Sequence, residues 1–180
     1  MPEKPIVLES KTLAKTNIFH VQERQLLFSN GEKRSYERLK AKPGNAVMVV
    51  PVLDNDTLLL IREYGCGIHD YYLGFPKGVR EPDESSLETA DRELKEEAGY
   101  GSKQLSLLTS FSSSPGYMSA YMDVVLAQDL YEEKLSGDEP EVIEVVFWKI
   151  DRLDDLLARD DFHEARSVAA ALMVRHLLKK

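Results

Sequence analysis

The eight residues Ala46-Val47-Met48-Val49-Val50-Pro51-Val52-Leu53 are apolar without a break, the pattern of a strand buried on both faces. Asp54-Asn55-Asp56 interrupts the run as a turn, and Thr57-Leu58-Leu59-Leu60-Ile61-Arg62-Glu63-Tyr64 returns as its neighbour in a hairpin. Earlier in the chain, Gln22–Phe28 and Glu32–Arg38 flank Ser29-Asn30-Gly31. That Asn-Gly pair predicts a hairpin closed by a type I′ turn with positive φ at both central residues. With Thr12–Phe19 as a further strand, residues 1–42 read as a small antiparallel sheet that ends at Pro43-Gly44. Between Glu84 and Ala98 the spacing changes to three and four, so Leu87, Ala90, Leu94 and Ala98 share one helical face, and Gly99 caps the end. Strands are expected over 105–112, 121–127 and 142–150, and helices over 151–158 and 162–178. On the last helix Val168, Leu172, Val174, Leu177 and Leu178 form a packing stripe. Strands, helix, strands and helices in that order predict an α/β protein with helices on both sides of a mixed sheet.

Composition leaves this picture intact. The chain has 180 residues, 43% hydrophobic and 30% charged, which suits one soluble domain with a small appendage. Charge alters it more. Lys and Arg number 23 against 31 Asp and Glu, a net of −8, and the excess is concentrated. Residues 81–97 hold eight acids against Arg92 and Lys95, and residues 129–144 hold seven against Lys134. Residues 1–42 are basic, with nine bases against five acids. Two acidic foci argue against a nucleic-acid partner and for a bound cation. No apolar run is long enough to cross a bilayer, and the N-terminus lacks a secretory pattern, so a cytoplasmic location is expected. The single cysteine, Cys66, forms no intrachain disulfide and no cysteine metal site. The four histidines show no paired ligand spacing.

The acidic focus on the central helix carries candidate chemistry. At roughly 100° per residue, Glu93, Glu96 and Glu97 fall within about 100° of one another. Like charges stacked at these spacings destabilise a helix, and a hard divalent cation such as Mg²⁺ compensates them. The complete spacing is more specific. Gly78, five residues, Glu84, seven residues, then Arg92-Glu93-Leu94-Lys95-Glu96-Glu97-Ala98-Gly99-Tyr100 resembles the Nudix box, the signature of hydrolases that cleave a nucleoside diphosphate linked to another moiety.

The resemblance implies a Nudix α/β/α sandwich over residues 45–180, with residues 1–44 as an added sheet for dimerisation. It implies that Glu93 and Glu97 are the main ligands of Mg²⁺, or of Mn²⁺ in its place, with Glu96 and the Gly78 carbonyl as further contacts. Glu84 and Arg92 support them and, with Glu97, belong to the catalytic set. Tyr100 is aromatic where an aliphatic residue is commoner. Outside the box, Ser114-Pro115-Gly116-Tyr117 places a proline fifteen residues past Tyr100, and this is similar to the ADP-ribose pyrophosphatase branch. There Glu139 would be the catalytic base and Glu141 an extra metal ligand, in the loop Gly137-Asp138-Glu139-Pro140-Glu141. Arg62-Glu63-Tyr64 resembles the Arg-Gln/Glu-Tyr segment of ADP-sugar pyrophosphatases, with Arg62 and Tyr64 toward substrate; a surface ion pair is the plain alternative for Arg62. Phe75-Pro76-Lys77-Gly78 departs from the Leu-Pro-Ala-Gly of that branch. Lys77, together with Gly137-Asp138-Glu139-Pro140 and Phe162-His163-Glu164-Ala165-Arg166, resembles the bacterial ADP compounds hydrolase subgroup.

These resemblances imply Mg²⁺-dependent hydrolysis of ADP-containing compounds (ADP-ribose, NADH, diadenosine polyphosphates) by a homodimer, releasing AMP. The substrate would contact Arg62, Tyr64, Lys77, Pro115 and Tyr117. A noncatalytic Nudix fold that senses an ADP-containing ligand is the alternative, and three intact clustered carboxylates weigh against it.

Overall fold

The computed structural model describes residues 3–41, 46–137 and 139–179; Pro43-Gly44 and Asp138, named above, lie outside them. The chain forms two compact units, Met1–Pro43 with Ser112–Tyr121, and Gly44–Phe111 with Met122–Lys180.

The smaller unit is an antiparallel sheet of β1 (Ile6–Lys15), β2 (His20–Leu27) and β3 (Lys33–Leu39), in that order. Its first strand begins at Ile6, not at Thr12. Residues 16–19 form the turn instead, where Phe19 N–H donates to Thr16 Oγ1 at 2.9 Å and Thr16 N–H to the Phe19 carbonyl at 2.8 Å. The β2–β3 hairpin forms as expected, but its turn is not type I′. Gly31 alone has positive φ, at 85°. Gly31 N–H donates to the Phe28 carbonyl and Phe28 N–H to the Glu32 carbonyl, both at 2.9 Å, the pattern of a three-residue loop with glycine in the left-handed position. Residues 112–121 join this unit through a parallel bridge between Leu39 and Met118.

The larger unit is built on a mixed sheet. Its strands are β4 (Ala46–Leu53), β5 (Thr57–Gly65), β6 (Asp70–Gly74), β7 (Lys77–Val79), β8 (Tyr100–Phe111), β9 (Met122–Glu132) and β10 (Glu144–Lys149). The order is β10-β5-β4-β9-β8, with β6 beside β5 and β7 beside β4. Only β4 and β9 run parallel. The type I′ turn occurs here, in the β4–β5 hairpin, where Asp54 and Asn55 have φ of 51° and 59°. β4 is buried on both faces as its pattern predicts. Met48, Val50 and Val52 pack toward Leu153, Phe162 and Ala170, whereas Val47 and Val49 pack toward Ala90, Leu94 and Ala98. The helices α2 (Leu153–Leu157) and α3 (Ala165–Leu178) therefore cover one face, and α1 (Ser86–Glu93) covers the other. This is the expected α/β/α sandwich.

Local chemistry shifts several boundaries. Ser85 caps α1 in a capping box, its hydroxyl accepting from Glu88 N–H while the Glu88 carboxylate accepts from Ser85 N–H at 2.8 Å, so the helix starts at Ser86 and not at Glu84. Its continuation, Leu94–Ala98, is a wider π turn that ends on Gly99 at φ 77°. Leu87 is 37% exposed, and Thr89 takes a buried place on that face. On α3 the buried stripe is Ser167, Ala170, Ala171 and Val174, with Leu172 and Leu177 exposed. Small residues on this face let the helix approach the sheet closely.

Candidate active site

β7 supplies the first wall of the site. It pairs with β4 through Val47 opposite Gly78 and passes beside the carboxylates of α1 and the π turn. Gly78 leaves room there for the Glu93 carboxylate, which a Cβ would displace. One residue earlier, Lys77 N–H donates to Glu97 Oε2 at 2.9 Å. The glycine and the backbone of β7 thus bring Glu93 and Glu97 to one place.

Arg92 organises the remaining acids. It binds Glu84 through two nitrogens, Nε to Oε1 at 2.7 Å and Nη2 to Oε2 at 3.0 Å. Its Nη1 reaches Glu93 Oε1 at 2.8 Å and Glu96 Oε2 at 2.9 Å. The guanidinium hydrogen bonds hold the Glu84 carboxyl down, to about 2. Glu93 and Glu97 differ, being only 8% and 5% exposed. Burial raises both carboxyls above their ordinary value, against the pull of Arg92 on one and Lys77 on the other. Burial also lowers the Lys77 ammonium, which pairs with Glu63 and lies 5.2 Å from the Tyr72 ring centroid.

These groups line a cavity of about 930 Å³ in the larger unit. Lys77, Gly78, Arg92, Glu93, Glu96 and Glu97 contribute to it, and residues 134–137 and 139–143 contribute further lining, including Glu139 and Glu141. A neighbouring cavity of about 250 Å³ is lined by Arg62, Tyr64 and Tyr71 and shares Glu139 and Glu141. Ten of the residues singled out from sequence therefore line these two cavities, with Glu84 behind Arg92. Pro115 and Tyr117 belong to the smaller unit, where the Tyr117 carbonyl accepts from Leu39 N–H at 2.7 Å. Arg62 is engaged with protein, Nε to Glu144 Oε2 and Nη1 to Asp161 Oδ2, both at 2.8 Å, so the ion pair expected as its plain alternative is formed. Glu141 accepts from Tyr71 Oη–H at 2.7 Å.

The donor chemistry fits a hard divalent cation. Glu93, Glu96 and Glu97 offer carboxylate oxygens, and the two buried ones are costly to keep charged without a counter-ion. Among the described residues no three acidic, histidine or cysteine side chains are gathered as a ready-made cation cluster; the guanidinium of Arg92 bridges Glu93 and Glu96.

A model of the NUDIX domain matches residues 42–172, and a model of the NudE-type Nudix hydrolase N-terminal domain matches residues 5–38. The chain is a Nudix hydrolase. Among curated relatives of this hydrolase, the ADP compounds hydrolase NudE of Escherichia coli (strain K12) is 48% identical over 177 residues, 98% of this chain and 95% of that protein. The ADP-ribose pyrophosphatase of Bacillus subtilis (strain 168) is 32% identical over 91% of both chains. A crystal structure of ADP compounds hydrolase superimposes with a TM-score of 0.93 at 47% identity, covering 99% of this chain and 96% of that one.

Sequence reasoning gave no role in this Nudix hydrolase to Tyr71, to Glu63, quoted only within Arg62-Glu63-Tyr64, or to Lys134. Tyr71 and Glu63 are brought in by the β5–β6 pairing, which sets Glu63 opposite Tyr72 and which no local pattern announced. Lys134 did carry a signal, as the only base among seven acids in residues 129–144.

Proposed function

We propose that this Nudix hydrolase cleaves the diphosphate of ADP-containing compounds in a divalent-cation-dependent reaction and releases AMP. The observation that carries the reading is a cavity lined by Glu93, Glu96 and Glu97 together with Glu139 and Glu141. The relatives named for ADP compounds and ADP-ribose support the substrate class.

Glu93, Glu96, Glu97 and the Gly78 carbonyl would hold Mg²⁺, with Mn²⁺ as a substitute, and Glu141 would hold a further ion. Such an ion neutralises charge on the diphosphate oxygens and acidifies a water. Arg92, fixed by Glu84, keeps the carboxylates of Glu93 and Glu96 in place. Glu139, which lines the same cavity, would take the proton of the attacking water at its carboxylate oxygen. Lys77 and Arg62 supply positive charge toward the diphosphate, Arg62 by exchanging one of its carboxylate partners for a phosphate oxygen. Tyr64 lines the neighbouring cavity and would contact substrate there. ADP-ribose, NADH and diadenosine polyphosphates are the substrates to compare. The exposed apolar residues Ile6, Val7, Leu8 and Leu13 of β1 support a homodimer formed through residues 1–44. Among the described residues no helix is long and apolar enough to cross a membrane.

Product analysis on those three compounds with and without Mg²⁺, in ¹⁸O-labelled water, tests the reading. AMP release that stops on chelation, with the label in one phosphate product, is expected. Tight binding of the same compounds without turnover would establish the sensor instead.

A further inference from the structure

The last carbonyls of a helix have no partner within it. At the end of the π turn that carries Glu96 and Glu97, these carbonyls are taken by the chain that follows β9. Leu135 N–H donates to the Lys95 carbonyl at 3.2 Å and Glu133 N–H to the Gly99 carbonyl at 3.0 Å. Between them, Lys134 Nζ donates to the Glu96 carbonyl at 2.5 Å. The contact is reinforced from the helix side, where Lys95 Nζ pairs with Glu133 Oε2 at 2.8 Å. The stem of Lys134 lies over Gly99, and Gly137 lies beside the Glu96 side chain. Farther along, the Glu141 carboxylate is held by Tyr71 on β6. The acidic segment between β9 and β10 is thus tied at both ends, and Glu139 lies between the ties.

We propose that Lys134 is a positioning residue. Its ammonium, on the Glu96 carbonyl, fixes residues 133–137 to the helix end that bears Glu96 and Glu97, while Tyr71 fixes the Glu141 end. Glu139 is thereby presented to the same cavity as the box carboxylates. The chemistry of the partner is informative: in a stretch with seven acids, the one lysine is placed on a main-chain carbonyl of the helix. A general base on an untethered loop samples many geometries, and a misplacement of 1 Å is costly to rate. The proposal rests on the assignment of Glu139 to the chemistry of this cavity. It differs from a reading in which Lys134, which also lines the cavity, binds substrate phosphate directly. Loss of a phosphate contact made in ground and transition states alike raises KM, whereas loss of base positioning lowers kcat.

The test compares Lys134→Met, which keeps the stem and removes the donor, with Lys134→Arg, which restores a donor. Steady-state hydrolysis of ADP-ribose and amide hydrogen exchange at Glu133 and Leu135 are measured on the full chain. Lys134→Met is expected to lower kcat by about tenfold or more, the order that a hydrogen bond from a charged group carries. KM should stay within about twofold, exchange at the two amides should accelerate, and Lys134→Arg should recover most of the rate. Tyr71→Phe, which releases the other end, should give the same kcat-selected loss even if Lys134→Met folds poorly. A wild-type kcat in both Lys134→Met and Tyr71→Phe, a change in KM alone, or unchanged exchange in Lys134→Met would overturn the proposal. If the wild-type protein hydrolyses no ADP compound, the proposed function fails, and exchange decides the clamp by itself: acceleration confined to the 133–143 segment supports it and unchanged protection refutes it.

Discussion

Gly78 and Glu97 are the residues on which the site depends most directly, for different physical reasons. Gly78 leaves room for the Glu93 carboxylate. Gly78→Ala should therefore displace that group and abolish turnover while the sheet core, which it does not enter, stays folded; circular dichroism and AMP release measured together check both parts. Glu97→Gln keeps the size and removes the charge. It should cost more than the ~10–100-fold typical of losing an outer partner of a metal site, whereas Glu84→Gln, which only loosens Arg92, should fall within that range. Asp161, the partner of Arg62, is held well below the usual aspartate range by Arg159 and Arg62. A depressed carboxyl contributes stability that is present above the unfolded value of about 3.9 and is lost as pH falls toward the folded value. Urea unfolding at pH 5 and pH 3 should show a steeper acid loss for the wild type than for Asp161→Asn. Equal losses in the two proteins would refute this role for Asp161.

At the level of the elements, the helix that carries the box shows what local pattern reveals and what it omits. Its apolar face follows from spacing at Ala90, Leu94 and Ala98, and its end follows from Gly99. Its start depended on Ser85 and Glu88, a reciprocal pair of hydrogen bonds that periodicity does not register. The π turn widens the last coil, yet Leu94 and Ala98 stay buried where the spacing put them, whereas Leu87, in the first turn after the Ser85 cap, is exposed. Leu94→Ala should cost about 2–5 kcal/mol and Leu87→Ala less than about 0.5 kcal/mol, measured by chemical denaturation; comparable losses would contradict the packing described for this helix. The two hairpins teach a related lesson. Asn30-Gly31 has the residues of a type I′ turn, yet only Gly31 is left-handed. Asp54-Asn55 has no glycine and still adopts two left-handed conformations, which Asn and Asp tolerate better than most residues, with Asp56 N–H donating to the Leu53 carbonyl at 3.2 Å.

Across the whole molecule, the central sheet and its two covering layers were legible because β4 is apolar at every position and strands and helices alternate in a clear order, although on α3 the buried stripe is Ser167, Ala170, Ala171 and Val174 and not the larger residues the spacing pointed to. The carboxylates of the box were legible because they share one element. Glu139 and Glu141 were reached only through resemblance, since the loop that carries them is far from the box in sequence and has no periodicity. Lys134 stood out in the charge count, but its partner, the Glu96 main-chain carbonyl, did not, and the phenol of Tyr71 on Glu141 carried no signal at all. The net charge of −8 thus reflects two acidic segments that converge on one cavity. A cation bound there links to folding. At a hundredfold excess over Kd it should add about 2.7 kcal/mol, a rise in thermal midpoint of roughly 5–10 °C for a chain of this size, and Glu97→Gln should lose most of that rise.

The most direct measurement is AMP release from ADP-ribose by the wild type and by Glu97→Gln, each across a Mg²⁺ titration. Turnover should rise with Mg²⁺, vanish on chelation and be lost in the variant at every Mg²⁺ concentration. Turnover in Glu97→Gln equal to that of the wild type, or turnover indifferent to divalent cations, would contradict this expectation.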